Sequence, residues 1–364
     1  MMRTRTRRCL SSTILTTLAL AALTFAVLAS APAARAQGTP YAASFLEIPI
    51  GGKALGLGGA FTAVADDGTA FYWNPAGVSL VRNKLLSAMY SSQYGSIGSP
   101  GANFYFAGWT MPIGDIGVSA NWIRLAINDI PLHADLREYT SLEQRYRLVK
   151  ESQGGETFSD VEDAFLISFA RNNKVELDLG WSYFKLPIEI PVGVNIKLLR
   201  QSLYDTEATG IGIDAGAILR MNLKDFFFSE HWPEVTLAAT VKDIGGTRLT
   251  WSQSQRVESV GASEAFGAAL VQPLTAIDSR LTMSMDYSTR DADALSFGAE
   301  LKYKRQFSFR AGLNDATVTL GAGVDFNFFD VDYAYLASSD TQLGQVHRLG
   351  LAFNFDKLLE KSPK

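Results

Sequence analysis

From about Asn83 onward the chain alternates apolar and polar residues in stretches of roughly ten, each closed by turn residues. Few folds accept that pattern. In Val346 to Phe355, Leu349, Leu351, Phe353 and Phe355 share one face, and Arg348, Gly350, Ala352 and Asn354 the other. Leu281, Met283, Met285 and Tyr287 oppose Thr282, Ser284, Asp286 and Ser288. The same holds for Leu295 to Tyr303 against Ser296, Gly298, Glu300 and Lys302, for Val318 to Phe326 against Thr319, Gly321, Gly323 and Asp325, and for Ile211 to Leu219 against Gly212, Asp214 and Gly216.

Alternation alone fits both a soluble β-sandwich and a membrane barrel. Ten residues is the length that a tilted strand needs to cross a bilayer, and is long for a soluble strand. Trp109, Trp122, Tyr287, Tyr303, Tyr333, Tyr335 and Phe355 cluster at strand ends, as interfacial girdles do. Connections alternate between short and long. Together these predict an all-β fold, a transmembrane antiparallel up-and-down β-barrel of about fourteen strands, running from 83–94 to 346–355. Tracing from the periplasm puts Asn128 to Glu162, Ile244 to Ala262 and Ala337 to Gln345 outside. "VELDLGWSY", Val175 to Tyr183, also alternates, but a fifteenth strand would leave the chain ends on opposite sides. It is assigned, with "KLPIEIP", to an enlarged periplasmic connection.

The N-terminus agrees with export. Arg3, Arg5, Arg7 and Arg8 precede an apolar run from Ile14 to Ala29, and Ala34-Arg35-Ala36 supplies a small-x-small cleavage pattern. Cutting there removes Cys9, the single cysteine, and leaves 328 residues with 28 basic and 37 acidic side chains. Such a chain offers no disulfide and no thiolate, and an acidic balance disfavours nucleic acid. The expected organisation is a signal peptide over 1–36, an N-terminal segment over 37–82, the barrel over 83–355 and a periplasmic tail over 356–364.

"GGKALGLGGAFTAVADDGTAFYWNPAG", Gly51 to Gly77, is the densest glycine stretch. A dinucleotide site would need a buried strand before it and a helix opening on it. Here Pro49 and Gly51-Gly52 break the first, and Asn74-Pro75 ends the second. Gly52-Lys53 likewise lacks the Ser/Thr of a phosphate loop. Close backbone packing explains the glycines instead, in a segment folded back into the lumen.

The stretch "FLEIPIGGKALGLGGAFTAVADDGTAFYWNPAG" resembles the N-terminal signature of the PorV/PorQ family of FadL-like outer-membrane barrels. It carries G-x-A-x-G-x-G-G-A, an acidic pair and "YWNPAG" over Phe45 to Leu80. "GIGIDAGAIL" at 210–219 and "VKDIGGT" at 241–247 extend the likeness diffusely. The resemblance implies fourteen strands and a hatch plugging the lumen. Its structural or gating residues would be Gly56, Gly58, Gly59, Asp66, Asp67, Trp73, Asn74, Pro75, Ala76 and Gly77.

Alternation assigns Asn195, Lys197, Asp214, Asp286, Glu300, Lys302, Arg310, Asp325, Arg348 and Asn354 to the inner face. Buried charges of both signs must be paired or hydrated, so a polar lumen is expected. Three functions compete. The nearer family match implies protein export or surface delivery of the type IX kind, with the charged Asn128 to Glu162 connection as the working surface. The wider group implies passive uptake of hydrophobic small molecules such as long-chain fatty acids. An outer-membrane hydrolase is the remote third: only His133, His231 and His347 are available, Gly-x-Ser-x-Gly is missing, and His347 with Ser338 or Ser339 is the one conceivable pair. Asp325, Asp330 and Asp332 lack calcium-loop spacing. The expectation is therefore a non-enzyme without cofactor or metal, in the outer membrane of a Gram-negative-type bacterium. Its partners would be membrane lipid, the barrel-assembly machinery, and exported proteins or hydrophobic small molecules.

Overall fold

The computed structural model describes residues 42–360, apart from 97–98, 134, 152–154, 179, 181–184, 291–293, 316 and 338–345. The expected signal peptide, residues 37–41 of the N-terminal segment, Ser338, Ser339 and residues 361–364 of the tail lie outside the described residues.

The chain forms a closed antiparallel barrel of fourteen strands. These are β1 (Leu85–Ser96), β2 (Ser99–Ile113), β3 (Ile116–Pro131), β4 (Thr157–Asp178), β5 (Lys185–Leu203), β6 (Thr206–Asn222) and β7 (Glu234–Lys242), then β10 (Ser263–Leu274), β11 (Ser279–Ser288), β12 (Ala294–Tyr303), β13 (Phe307–Asn314), β14 (Thr317–Asp325), β15 (Phe329–Leu336) and β16 (Val346–Asn354). β1 pairs with β16, and β5 with β6, so the ring closes and leaves none of these fourteen as a free edge. Two further short strands, β8 (Thr247–Trp251) and β9 (Val257–Val260), form a hairpin standing on the outer end of β6. The sequence reading leaves Ile244 to Ala262 as a plain outer connection; the hairpin inside it is too short and too charged to register as alternation.

Val175–Asp178 are not a fifteenth strand. They continue β4 and pair with Lys185–Ile188, so most of this stretch lengthens the β4–β5 hairpin; residues 179 and 181–184 lie outside the described set. The turns explain the register. Gly114, at φ 63°, closes β2 onto β3, whereas Lys304 and Arg305 close β12 onto β13 at φ 49° and 57° without glycine.

Side chains point as alternation requires. Val194, Ile196 and Leu198 are exposed on the outer wall, while Asn195, Lys197 and Leu199 between them are buried inside. The outer band is greasy on every strand; the interior is filled by the N-terminal segment. Among the described residues no helix is long and apolar enough to cross a membrane. The charged outer connection carries a helix, α3 (Leu142–Glu151), the third in the chain after two in the N-terminal segment; α4 (Leu223–Phe227) lies in the β6–β7 connection and α5 (Phe355–Glu360) follows the last strand.

Candidate functional site in the barrel lumen

The N-terminal segment runs through the lumen as short turns: a 3-10 turn at Ser44–Glu47, α1 (Gly52–Gly56), α2 (Ala70–Trp73) and a 3-10 turn at Pro75–Leu80. Pro49 to Val78 meets every one of the fourteen strands. Arg348 on β16 donates to the Pro49 carbonyl, Gly52 abuts Asp332 on β15, and Gly56 abuts Gly321 on β14. Gly58 abuts Leu313 on β13, Leu57 abuts Gly298 on β12, and the Phe61 and Thr62 amides donate to Asp286 on β11 at 2.9 and 2.7 Å. Ala63 abuts Gly267 on β10, Gly68 abuts Ser87 on β1, Phe71 stacks on Phe106 of β2, and Lys242 on β7 lies over the Tyr72 ring at 4.1 Å. Pro75, Asn74 and Val78 reach Gly193 on β5, Gly216 on β6 and Gly117 on β3, and β4 packs against Pro75–Leu80.

The glycines serve close approach. Gly58 sits at φ +66°, where L side chains are strained, and a methyl carbon at Gly312 opposite would lie 2.2 Å from the Gly58 amide nitrogen. A methyl carbon at Gly77 would lie 2.0 Å from the Ala65 carbonyl oxygen. Gly56 faces Gly321 across the same interface, and Gly59 stands beside Trp73 at φ +81°.

Asn74 is fully buried. Its Nδ2 donates to the Thr62 carbonyl at 3.2 Å and to the Ala217 carbonyl at 3.3 Å, while its Oδ1 accepts from the Ala76 amide at 3.1 Å. The following 3-10 turn begins on Pro75, whose fixed φ and missing amide suit that position. One side chain thus ties two parts of the segment to the wall. Trp73 Nε1 donates to the Ile50 carbonyl at 3.0 Å and closes the loop from the other side.

The acidic pair faces a cavity of about 400 Å³ at the end of the barrel where β1 begins and β16 ends. Asp66 meets Lys53 at 2.5 Å. Burial works against both charges, but their contact holds the lysine above its ordinary value and the Asp66 carboxyl below its own. Burial wins at Asp67, whose carboxyl is pushed up even though the Thr69 amide and hydroxyl donate to it.

The inward charges form two clusters. Lys197 meets Asp214 and Asp243 at 2.7 Å each, Asn195 donates to Asp214 and to the Phe71 carbonyl, and Arg290 approaches Asp243 at 3.6 Å. Arg310 meets Glu300 and Asp332 at 2.6 Å each. Lys302, Asp325 and Asp330 stand at that same end of the barrel, where Lys357 reaches Asp325 at 4.0 Å; Asn354 is buried at the foot of β16. Asp325 and Asp330 face each other across β14 and β15, while Asp332 is taken by Arg310, and no metal-ligating cluster occurs among the described residues. His347 Nδ1 lies 2.7 Å from the Tyr333 hydroxyl, and His231 Nδ1 lies 3.4 Å from Ser229 Oγ.

The expectation of a polar lumen needs correcting. Phe104, Phe106, Ile123, Leu125, Leu166 and Leu199 point inward on β2 to β5 and form one apolar cluster with Phe45, Leu46, Ile50 and Phe71 of the segment. A second cavity, about 190 Å³, opens between Tyr72, Trp73, Lys242, Asp286 and Arg290. The interior is therefore apolar along much of β2 to β5 and largely polar elsewhere on the wall. Asp243, Arg290 and Lys242 are site residues that alternation misses, because two sit in connections; "VKDIGGT" holds Lys242 and Asp243 but says nothing of their partners.

The pairing and the two-faced wall define a closed antiparallel β-barrel of fourteen strands with an occupied lumen. A family model described as "Uncharacterised protein family (UPF0164)" matches residues 21–99. No curated protein matches the sequence. Among solved structures the chain is similar to a TodX monoaromatic hydrocarbon channel deltaS2 mutant, at 11% identity and TM-score 0.44 over 84% of this chain and 99% of that one. It is also similar to the KdgM porin in complex with disordered oligogalacturonate, at 9% identity and TM-score 0.33 over 74% and 99%. A triple-mutant porin of Rhodopseudomonas blastica follows at 12% identity and TM-score 0.28 over 75% and 99%.

Proposed function

We propose that this chain is an outer-membrane barrel of the FadL-like kind, through which small hydrophobic molecules pass when the hatch shifts. The carrying observation is the greasy inner wall of β2 to β5, Phe104 to Leu199, against which the hatch lays Phe45 and Phe71. When the hatch shifts, the wall that Phe45 and Phe71 leave behind is apolar, as a hydrophobic molecule requires. The outward greasy band, a severe aggregation hazard in water, supports placement in a bilayer. Vesicles with and without the protein are loaded with labelled fatty acids or aromatic hydrocarbons; entry no faster than through bare lipid sinks the proposal. Phe106→Asp puts a charge opposite Phe71 and is expected to slow entry at least tenfold.

Protein export or surface delivery, as in the PorV/PorQ family, is a second reading. It is favoured by α3, which leaves Leu142 and Tyr146 84% and 69% exposed in the outer connection, a suitable contact for a protein cargo. Deleting the gene and comparing surface and secreted proteins tests it: an unchanged set disposes of it.

A further inference from the structure

The outward face of the barrel changes abruptly on one sector. On β4, Phe169, Ile167 and Phe165 give way to Asp163; on β5, Val194, Ile196 and Leu198 give way to Arg200; on β3, Val118, Ala120 and Trp122 give way to Arg124. Register sets these side by side, with Arg124 opposite Asp163 and Asp163 opposite Arg200. Arg124 stands ten residues beyond Gly114 of the β2–β3 turn, about the length a tilted strand needs to cross the hydrocarbon. The row therefore lies where the greasy band meets the outer headgroups.

The row is built. Arg124 Nε and Nη2 grip the two Asp163 oxygens at 2.7 and 2.8 Å, Trp122 Nε1 donates to the same carboxylate at 2.8 Å, and the Arg124 guanidinium lies 5.1 Å over the Trp122 ring. Asp163 is only 5% exposed although it faces outward. Arg200 meets Glu207 at 2.7 Å and stays half-exposed. Arg248, on β8 opposite Ile211, is exposed and has no carboxylate within 4 Å among the described residues. Elsewhere the outward greasy faces of β11 to β14 present Met283, Met285, Phe297, Phe309, Leu313 and Leu320, with no cation among them.

We propose that this sector holds the phosphate headgroup of an anionic lipid in the outer leaflet, taken by Arg200 and Arg248 and flanked by the Arg124–Asp163 pair. Guanidinium groups present fixed forks that match phosphate oxygens, and Arg200 and Arg248 are both exposed at this end of the wall. Asp163 neutralises Arg124 and holds its guanidinium in a bidentate contact. Two carboxylates against three guanidiniums leave a surplus cation, which suits an anion and not a zwitterion. The inference rests on the bilayer placement proposed above.

The test is native mass spectrometry of the purified barrel, released from micelles of neutral detergent doped with phosphatidylglycerol or with phosphatidylcholine. Phosphatidylglycerol is expected to stay bound, and Arg200→Gln or Arg248→Gln to cut its retention about fivefold each. Arg305→Gln, in a periplasmic turn, is expected to change nothing. Both tested arginines are exposed, so the variants fold, and only folded barrels are counted. Retention equal in all variants, equal retention of phosphatidylcholine, or displacement by excess inorganic phosphate would overturn the lipid site while leaving the membrane placement standing. A barrel that stays dispersed without detergent would overturn both.

Discussion

Asn74→Ala is the sharpest perturbation of the lumen. The substitution leaves the Thr62 and Ala217 carbonyls and the Ala76 amide without their partner in a site closed to solvent. At about 1 kcal/mol for each orphaned group the seated segment loses roughly 3 kcal/mol. A difference of that size moves the balance between seated and displaced segment by about two orders of magnitude. The wall is untouched, because the fourteen strands keep their ladders. Single-channel recording in planar bilayers is expected to show frequent openings in the variant and long closed periods in the parent. Asn74→Asp keeps the acceptor for Ala76 but turns a carboxylate oxygen onto the Thr62 and Ala217 carbonyls, and is expected to open at least as often as Asn74→Ala. A variant as closed as the parent, with unchanged thermal stability, would refute the idea that this amide seats the segment.

Lys197→Met strips the counter-charge from Asp214 and Asp243 and is expected to cost about 3–5 kcal/mol; the triple change with Asp214→Asn and Asp243→Asn should recover most of it, read as the temperature at which the barrel unfolds on a heated SDS gel. Gly312→Val pushes a side chain into the Gly58 backbone and is expected to raise conductance while leaving the strand content in circular dichroism unchanged. Replacing Lys304-Arg305 by Asn-Gly puts two residues that tolerate positive φ where a lysine and an arginine now hold it, and is expected to stabilise the barrel by about 1–2 kcal/mol in urea titrations of the refolding equilibrium.

Strand number and wall orientation were legible because the outer face of β11 to β16 carries long uninterrupted alternation, with Met283 and Met285 out and Ser284 and Asp286 in. The greasy part of the lumen was not, and the reason lies in two strands. In "NFYFAGW" on β2, Phe104 and Phe106 point in while Tyr105 and Trp109 point out, so both faces are apolar and the period disappears. In "NWIRLAI" on β3 the pattern is inverted: Ile123 and Leu125 face inward and Arg124 faces the membrane side. A charge on the outside and a hydrocarbon within reads, from sequence, as the opposite orientation. The glycine stretch announced tight packing through its composition, but the partners of Asn74 and the Lys197–Asp243 contact depend on which strands the closed ring brings together, and no local pattern encodes that. The resemblance to PorV/PorQ signatures supplied the lumen placement of the segment, while the specific contacts came only with three-dimensional register.

A segment that touches all fourteen staves would have to make every one of those contacts at once if it entered a finished cylinder. The last seam, wherever it forms, has to shut around a passenger already aboard. Manufacture and filling are thus one event, and a truncated chain starting after Val81 should linger as an unsealed sheet, easily digested from its edges, where the complete chain resists protease as soon as it reaches the bilayer.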